Sequence, residues 1–260
     1  MDKVIVTGSE GFIGKVLCER LKKKNVEVIR IDRHLGIEAI GIGNYLDKDV
    51  IAVFHLAAQT SVFNDDITQI IGDNIVVFAE VVKQCNEHGV KLVYASSSTA
   101  FDQNTTSLYG LSKSFDEDFA RLYARNATGV RLHNVYGPEQ RPGTLLHALT
   151  TQKEVTLFNN GENIRCFTHV DDAVEGLIAA YGYNNRLINV VNYEPTRIAD
   201  FANEVAKYNG VKIILSPEIR ERDHVQQTVD RNLLTVPLTY RNYKVGIKEV
   251  FGYGRAEGKQ

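Results

Sequence analysis

A tyrosine and a lysine in a Tyr-x-x-x-Lys spacing are the residues of this sequence best suited to acid–base chemistry. Tyr109 and Lys113 lie in a stretch with helical periodicity, so their side chains share one face of a helix. An unperturbed phenol, with a pKa near ~10, is a poor base, but a neighbouring ammonium group favours the phenolate. Ser98, at the end of the preceding predicted strand, can donate a hydrogen bond to the same substrate oxygen. These three residues predict proton transfer at a substrate oxygen.

The elements that must position these residues follow from an alternation of apolar runs and helical patterns. Such alternation is typical of an α/β fold with a doubly wound parallel sheet, in which crossover helices join the strands. The patterns predict strands at 3–6, 26–31, 50–56, 92–95, 130–132 and 187–191. They predict helices from 13 onward and at 74–87, 109–124, 171–181 and 197–208. Residues 155–158 and 163–167 flank an Asn-Asn-Gly sequence, which suggests a hairpin or tight turn.

Three glycines at a spacing of three separate the first strand from the first helix. Gly8, Gly11 and Gly14 allow a tight turn, a close backbone approach to a pyrophosphate, and packing of helix on strand. The free N–H groups at the start of that helix, together with its dipole, favour an anion. The turn therefore predicts a dinucleotide site.

An acidic residue at the end of the second strand indicates which dinucleotide binds. Asp32 follows Gly14 by eighteen positions, where a carboxylate accepts hydrogen bonds from a ribose 2′-hydroxyl and repels a 2′-phosphate. This favours NAD over NADP, although Arg33 and His34 could soften the repulsion.

Composition excludes several other classes of function. The 260 residues are enough for one domain with an appended lobe, and the net charge of −2 gives no reason to expect nucleic acid or an anionic membrane as a partner. Cys18, Cys85 and Cys166 are scattered, so we expect neither disulfides nor a metal site, and a reducing cytoplasm fits. The first strand begins at Lys3, and no apolar run could span a bilayer, so we expect no signal peptide and no membrane segment.

Taken together, the motifs resemble those of the NAD-dependent epimerase/dehydratase family. This family is the extended branch of the short-chain dehydrogenases/reductases, typified by UDP-galactose 4-epimerase. The matching segments are 7–14, Asp32, 55–58, Asn74, 96–98, 109–113, 131–138 and 165–172.

The resemblance implies a Rossmann domain and a substrate-binding lobe. The Rossmann domain would span residues 1–140, with residues 165–192 returning to it. The smaller carboxyl-terminal lobe, within 141–260, would be discontinuous and made of residues 141–164 and 193–260.

It also implies roles for particular residues. The catalytic group would be Ser98, Tyr109 and Lys113. The NAD-binding residues would be Gly8, Gly11, Phe12, Ile13, Gly14, Asp32, Asn44, Leu46, Leu56, Ala57, Ala58, Asn74, Tyr109 and Lys113. The residues that bind a nucleotide sugar would be Ser98, Asn134, Arg165 and Arg220, with the two arginines clamping its diphosphate. An alternative for each arginine is a surface pair with a carboxylate, and Asn134 could instead satisfy backbone groups of its loop.

The activity that the resemblance implies is epimerisation of a nucleotide sugar. Tyr109 would take a proton from a sugar hydroxyl while hydride passes to NAD, and hydride would return to the other face of the ketose. NAD is regenerated in each cycle and should stay bound. Family dehydratases carry an acidic pair just after the catalytic Ser or Thr, where this chain has Thr99 and Ala100, so dehydration is disfavoured.

Two other functions stay open at this point. Tyr109 follows Ser98 by only eleven positions, and the stretch 138–165 is compact, so the identity of the substrate is not fixed. One alternative is an NAD(P)H-dependent reductase of a keto-sugar nucleotide. The other is a non-catalytic regulator that binds NAD(H), although such a protein need not keep Ser98, Tyr109 and Lys113.

The surface of the 109–124 helix carries two further expectations. Asp116, Glu117 and Asp118 are interpreted as its solvated face. Family members commonly form a homodimer through this helix and the 74–87 helix, so we expect a homodimer. The apolar residues of these two helices that are candidates for the core are Phe115, Phe119, Leu122, Val77 and Val81. The tail after Phe251 is expected to fray.

Overall fold

A seven-stranded parallel sheet forms the middle layer of the structure, a computed structural model that describes residues 2–223 and 225–252. Three two-stranded sheets accompany it among the described residues. In chain order, the strands of all four sheets are β1 (Lys3–Thr7), β2 (Glu27–Ile31), β3 (Val50–His55), β4 (Lys91–Ser97), β5 (Ala127–Leu132), β6 (Val135–Tyr136), β7 (Glu154–Leu157), β8 (Ile164–Cys166), β9 (Thr168–His169), β10 (Arg186–Val190), β11 (Pro195–Arg197), β12 (Lys212–Leu215) and β13 (Leu234–Thr235). The order in the large sheet is β13-β10-β5-β4-β3-β1-β2. The predicted doubly wound α/β fold is confirmed.

The helices connect these strands and cover the sheet. They are α1 (Phe12–Lys23), α2 (Ile67–Ile70), α3 (Val77–His88), α4 (Leu108–Tyr123), α5 (Leu145–Thr151), α6 (Val170–Ala180), α7 (Ile198–Asn209) and α8 (Tyr243–Val250). The predicted helix 74–87 differs at its start, because a π-helix, Ile71–Val76, joins α2 to α3. Among the described residues, no helix combines the length and the apolar character needed to cross a membrane.

The first strand shows why the sheet needs helices on both faces. Val4 and Val6 pack in one core cluster with Leu17 of α1, whereas Ile5 packs in another with Phe78 of α3. Successive side chains of a strand point to opposite faces, so a continuous apolar run is buried only when both faces are covered. The helices α1 and α6 contribute to the first cluster, and α3 and α4 to the second.

The order of the strands also locates a crevice. β1 pairs with β2 on one side and with β3 on the other, so the winding of the chain reverses at β1. In open parallel sheets, ligands bind outside the carboxyl ends of the strands at such a reversal. The glycine-rich turn follows β1 and therefore lies at this crevice.

Of the hairpin or tight turn predicted around residues 159–161, the structure has the tight turn and not the hairpin. β7 pairs in parallel with β12, and β8 pairs antiparallel with β11, so the two strands that flank the turn do not pair with each other. The tight turn itself is present, as a 3₁₀ helix over Asn159–Gly161. Asn159, Asn160 and Gly161 all have positive φ, whereas a two-residue hairpin loop needs at most two such residues.

A third core cluster lies beyond the carboxyl edge of the sheet. Leu149 of α5, Leu157 of β7, Phe201 of α7 and Ile247 of α8 are buried together there. Within the segment 193–260 that was assigned to the lobe, Leu234–Thr235 instead forms β13 at the edge of the large sheet. The expectation for the tail concerns residues 252–260, of which 253–260 lie outside the described residues.

Candidate active site

The turn between β1 and α1 is built by close contacts that only glycine permits. Gly8 has a φ of +70°, and a Cβ there would lie 2.7 Å from the backbone nitrogen of Ala57. A Cβ on Gly14 would lie 2.0 Å from the carbonyl oxygen of Gly8. Gly11 is the N-cap residue of α1, and no side chain caps that helix. The first N–H groups of α1 are thus directed at an open cradle suited to a phosphate.

Thr7 holds the loop after β3 beside this turn. Its hydroxyl oxygen accepts hydrogen bonds from the backbone N–H groups of Leu56 and Ala57 at 3.2 and 3.3 Å. The same hydroxyl group lies 2.8 Å from Nδ1 of His55. Burial, with the charge of Lys113 as the smaller cause, lowers the pKa of His55 to about 3, so its ring is neutral near pH 7.

The acidic residue at the end of β2 faces the same crevice. The backbone N–H groups of Glu10 and His34 donate hydrogen bonds to the Asp32 carboxylate at 2.9 and 3.0 Å. Each carboxylate oxygen keeps a further lone pair, which is available to a ribose hydroxyl. Arg33 could have reduced the repulsion between Asp32 and a 2′-phosphate. Its guanidinium instead donates hydrogen bonds to Glu38 and Asp73, both at 2.8 Å.

A cavity of about 430 Å³ follows the glycine-rich turn. The residues predicted to bind the cofactor that line it are Gly8, Gly11, Phe12, Ile13, Gly14, Asp32, Leu56, Ala57 and Ala58. Asn44 and Leu46, also predicted there, do not line it: Asn44 is exposed on a 3₁₀ helix, and Leu46 is buried in the core beneath. Contact of these two residues with the cofactor stays a prediction.

Asn74 likewise does not line the cavity but holds its wall in place. Its side-chain amide donates to the carbonyl of Gln59 at 2.9 Å and accepts from the N–H of Gln59 at 2.7 Å. It also donates to the hydroxyl of Ser112 on α4 at 2.9 Å. Asn74 therefore links the loop after β3 to the helix that carries Tyr109, and its contact with the cofactor stays a prediction.

Helix α4 starts where the sequence provides a cap. The hydroxyl of Ser107 accepts a hydrogen bond from the N–H of Gly110 at 3.1 Å, which places Tyr109 in the first turn of the helix. A Cβ on Gly110 would lie 2.7 Å from the carbonyl oxygen of Thr99. The helix therefore approaches the segment after β4 at a distance that a larger residue would prevent.

Hydrogen bonds from its own side chains stabilise the short segment between Ser98 and Tyr109. It contains two 3₁₀ helices, Ser98–Ala100 and Asp102–Asn104. Asn104 donates to the carbonyl of Ser98 at 2.9 Å and to the carbonyl of Thr228 at 2.6 Å. The hydroxyl of Thr105 donates to the carbonyl of Thr99 at 2.8 Å. These bonds allow eleven positions to join β4 to α4 at a defined geometry.

A second cavity, of about 360 Å³, lies at the carboxyl ends of β4 and β5. Ser98, Tyr109, Lys113 and Asn134, which come from separate parts of the sequence, all line it. The residues that line both this cavity and the first are Phe12, Ile13, Leu56, Ala58, Thr60 and Arg141. The two cavities therefore adjoin, and the predicted catalytic residues meet at one of them.

The interpretation of the acidic run on α4 as a solvated face is wrong for two of its three residues. Asp116 is completely buried, and its Oδ2 accepts a hydrogen bond from Nζ of Lys113 at 3.0 Å. Glu117 accepts from Arg131 and from the hydroxyl of Ser96. Only Asp118 is exposed, where it pairs with Arg121. Asp116 and Glu117 can be buried because each has a cationic partner inside the protein.

Asn134 sits on a strained stretch of backbone, with a φ of +38°. Its amide donates to the side-chain oxygen of Gln227 at 2.7 Å and to the carbonyl of Cys166 at 3.3 Å. Gln227 and Arg141 also line the second cavity, and neither was predicted. Arg141 follows the 131–138 motif by three positions, which is a signal in the sequence, whereas nothing local marks Gln227.

Arg165 and Arg220, predicted to clamp a diphosphate, line neither cavity. Arg165 on β8 pairs with Asp223, which also accepts from Asn163 at 2.8 Å. The guanidinium of Arg220 lies 3.6 Å from the ring centre of Phe158. The carboxylate pair considered as the alternative is observed for Arg165, and a cation–π contact is observed for Arg220.

One cluster of metal-ligand side chains occurs away from both cavities. Single ligand atoms of His169, Asp171 and Glu249 lie within 4.8 Å of one another. Arg241 is paired with both carboxylates, at 3.4 Å to Asp171 and 3.6 Å to Glu249. A guanidinium already compensates their charge.

Comparison with known proteins relates the fold and motifs to a family. The chain is 30% identical over 240 residues to a Bacillus subtilis protein named as an uncharacterized UDP-glucose epimerase, covering 73% of this chain and 76% of that one. Its structure resembles that of UDP-glucuronic acid 4-epimerase from Bacillus cereus in complex with UDP-glucuronic acid and NAD, with a TM-score of 0.83, 25% identity, and coverage of 96% and 98%. The fold is also that of MoeE5, solved with the same two ligands, at a TM-score of 0.85, 23% identity, and coverage of 97% and 99%. Residues 4–192 match the model of the NAD-dependent epimerase/dehydratase family, and the chain belongs to that family.

Proposed function

We propose that the chain is an NAD-dependent nucleotide-sugar epimerase. It would oxidise a hydroxyl of a UDP- or related NDP-hexose transiently and return the hydride to the opposite face of the sugar. The observation that carries the proposal is that Ser98, Tyr109 and Lys113 line one cavity that adjoins the cavity of the glycine-rich turn. The names of the relatives, which include UDP-sugar 4-epimerases, support the same activity.

The residues around the glycine-rich turn fit NAD. Gly8, Gly11 and Gly14 shape a cradle that a Cβ would fill, and the uncapped start of α1 suits a pyrophosphate. Asp32 is placed to accept hydrogen bonds from the adenine ribose. The first cavity is also lined by Glu38 and Asp73, which neutralise the charge of Arg33. With Arg33 neutralised, the negative charge of Asp32 disfavours binding of a 2′-phosphate. When bound, NAD supplies reversible acceptance of hydride.

The chain's own residues then handle the proton and hold the sugar. Tyr109 removes the proton of the sugar hydroxyl and returns it, and the Lys113 ammonium stabilises the phenolate. Ser98 donates a hydrogen bond to the same sugar oxygen, which favours the developing carbonyl. Asn134, which lines the same cavity, orients the sugar. Contact of Arg165 with the diphosphate would require that phosphate oxygens replace Asp223 as its partner.

The segment after Ser98 argues against elimination of water from the sugar. Loss of water requires an acid and a base at neighbouring carbons. Thr99, which lines the second cavity, and the buried Ala100 offer neither.

A panel of NDP-sugars incubated with the purified protein, followed by chromatography of the products, tests the proposal. We expect one sugar to convert to its epimer with no net change in NADH absorbance, and NAD to be released when the protein is denatured. Stoichiometric consumption of NAD(P)H would indicate the keto-sugar reductase instead. Binding of NAD(H) without conversion of any sugar would favour the regulator.

The domain division and location are part of the same proposal. The third core cluster supports a substrate-binding lobe formed by residues 141–164 and most of 193–260, beside a dinucleotide-binding domain of residues 1–140 and 165–192. Three buried free cysteines suit a reducing cytoplasm.

A homodimer through α3 and α4 is proposed from the apolar surface of α4. Leu111, Phe115 and Leu122 are exposed on this helix, and stacked rings of Phe115 and Phe119, 5.6 Å apart, extend along it. Val77 and Val81 of α3 belong to the core as expected, whereas that expectation is wrong for the exposed Phe115 and Leu122. A contiguous exposed apolar strip is typical of a subunit interface.

Replacing Phe115 by Asp should convert the dimer to a monomer, because a buried unpaired carboxylate would be costly at the interface. Sedimentation velocity would measure the mass. Val245→Asp, at an exposed apolar residue of α8, is the control and should leave the mass unchanged. A wild-type protein that sediments as a monomer at all accessible concentrations would refute the dimer.

A further inference from the structure

A buried carboxylate lies one helical turn beyond the predicted catalytic lysine. Asp116 has no exposed surface, and its Oδ2 accepts a hydrogen bond from Nζ of Lys113 at 3.0 Å. Its other oxygen has no hydrogen-bond partner among the described residues. Among the residues that the structure describes, no other carboxylate lies within 4.0 Å of the Lys113 ammonium group. The two charges therefore form an isolated pair inside the protein.

The groups around this pair do not replace Asp116 as the partner of Lys113. Glu117, the next acid on α4, is held by Arg131 on β5 at 2.6 Å. From β4, the phenol of Tyr94 faces the acids, and burial, then the charges of Glu117 and Asp116, raise its pKa, so it is neutral. From β3, His55 faces Lys113 as a neutral ring. Asp116 is therefore the negative charge available to Lys113.

A buried ammonium group needs such a charge. Burial by itself lowers the pKa of Lys113, but the negative charge of Asp116, the largest opposing cause, helps to raise it above its ordinary value. An uncompensated ammonium in the same position would instead lose its proton readily. A neutral Lys113 could not stabilise a phenolate at Tyr109.

We propose that Asp116 is a positioning residue of the reaction: it supplies the counter-charge that keeps Lys113 protonated and fixes its ammonium group beside Tyr109. The inference rests on the proposed function, since it concerns the lysine that acts on the catalytic phenol. Asp116 acts through Lys113, and it does not line the cavity itself.

Asp116→Asn keeps the shape of the side chain and removes its charge. We expect the titration of Lys113 to move to lower pH by at least about one unit, since burial is then opposed by much less negative charge. The alkaline limb of kcat against pH should move by a similar amount, with KM for the sugar nucleotide changed less than about twofold. Burial raises the pKa of Asp116 to about 6, so the rates of wild type and variant should converge as the pH falls below that value.

The titration of Lys113 can be followed by NMR of ¹³C-labelled lysine, with its signal assigned from Lys113→Arg. Asp118→Asn, at an exposed acid of the same helix, is the matched control and should leave both the titration and the pH profile unchanged. Asp116→Ser, which is smaller, gives the same test if the Asn variant does not fold.

An unchanged Lys113 titration in the Asp116 variants would overturn the inference. The NMR measurement needs no turnover, so it separates this inference from the proposed function. If the wild-type protein converts no NDP-sugar but the Lys113 titration still moves, the charge pair stands and the epimerase proposal fails.

Discussion

Replacing Tyr109 by Phe is expected to lower kcat for epimerisation by about 10³-fold, a typical loss when a general base is removed. The substitution deletes one oxygen and keeps the ring that lines the second cavity. The fold and the retained NAD should therefore persist. Product formation from the NDP-sugar found in the panel measures the rate, and NAD released on denaturation measures the bound cofactor.

Tyr123→Phe is the matched control for this substitution. Tyr123 lies at the exposed end of the same helix, so its loss should leave kcat unchanged. If Tyr109→Phe retains more than about a tenth of the wild-type rate, Tyr109 is not the base. Full biological activity of that variant would favour a regulator that binds NAD(H).

Replacing Gly14 by Ala should abolish retention of NAD. The added Cβ would lie 2.0 Å from the carbonyl oxygen of Gly8, a backbone atom that cannot rotate away. The turn must open, and we expect NAD to bind at least about 100-fold more weakly. Overpacking of this kind should also lower the free energy of unfolding by about 1–3 kcal/mol. Calorimetric titration with NAD and urea unfolding measure the two effects.

Gly72→Ala provides the comparison. A Cβ at Gly72 meets nothing within 4 Å, although this glycine also lies in a helix. Alanine favours helix more than glycine does, so stability should stay the same or rise by up to about 1 kcal/mol. Normal binding of NAD by the Gly14 variant would show that the turn is not the pyrophosphate cradle.

The sequence was sufficient to predict the elements that carry the site. A strand buried on both faces must be apolar throughout, as in β1, and the glycines that follow it are required by contacts within the same turn. Tyr109 and Lys113 could be placed together because helical geometry alone brings them to one face. Information that is local in the sequence predicts local structure well.

The predictions that failed depend on partners far away in the chain. The hairpin fails because the strand β7 pairs with β12, which lies more than fifty positions later. Arg165 pairs with Asp223, also more than fifty positions later, which is the carboxylate alternative that the sequence left open. The burial of Asp116 was the exception, because its position seven residues after Tyr109 places it on the same helical face. Charge alone suggested an exposed surface, but the nearby lysine made burial possible.

One side of helix α4 faces the candidate active site, and its other side is the surface of the proposed dimer. Tyr109, Ser112, Lys113 and Asp116 face inward, and through Asn74 the inner side is tied to the loop at Gln59. Leu111, Phe115 and Leu122 face outward. If a second subunit packs on this outer side, as in the proposed dimer, a tilt of the helix would move Tyr109 and the wall of the second cavity together. Assembly and turnover should then be mechanically coupled, so that dilution lowers the rate per chain.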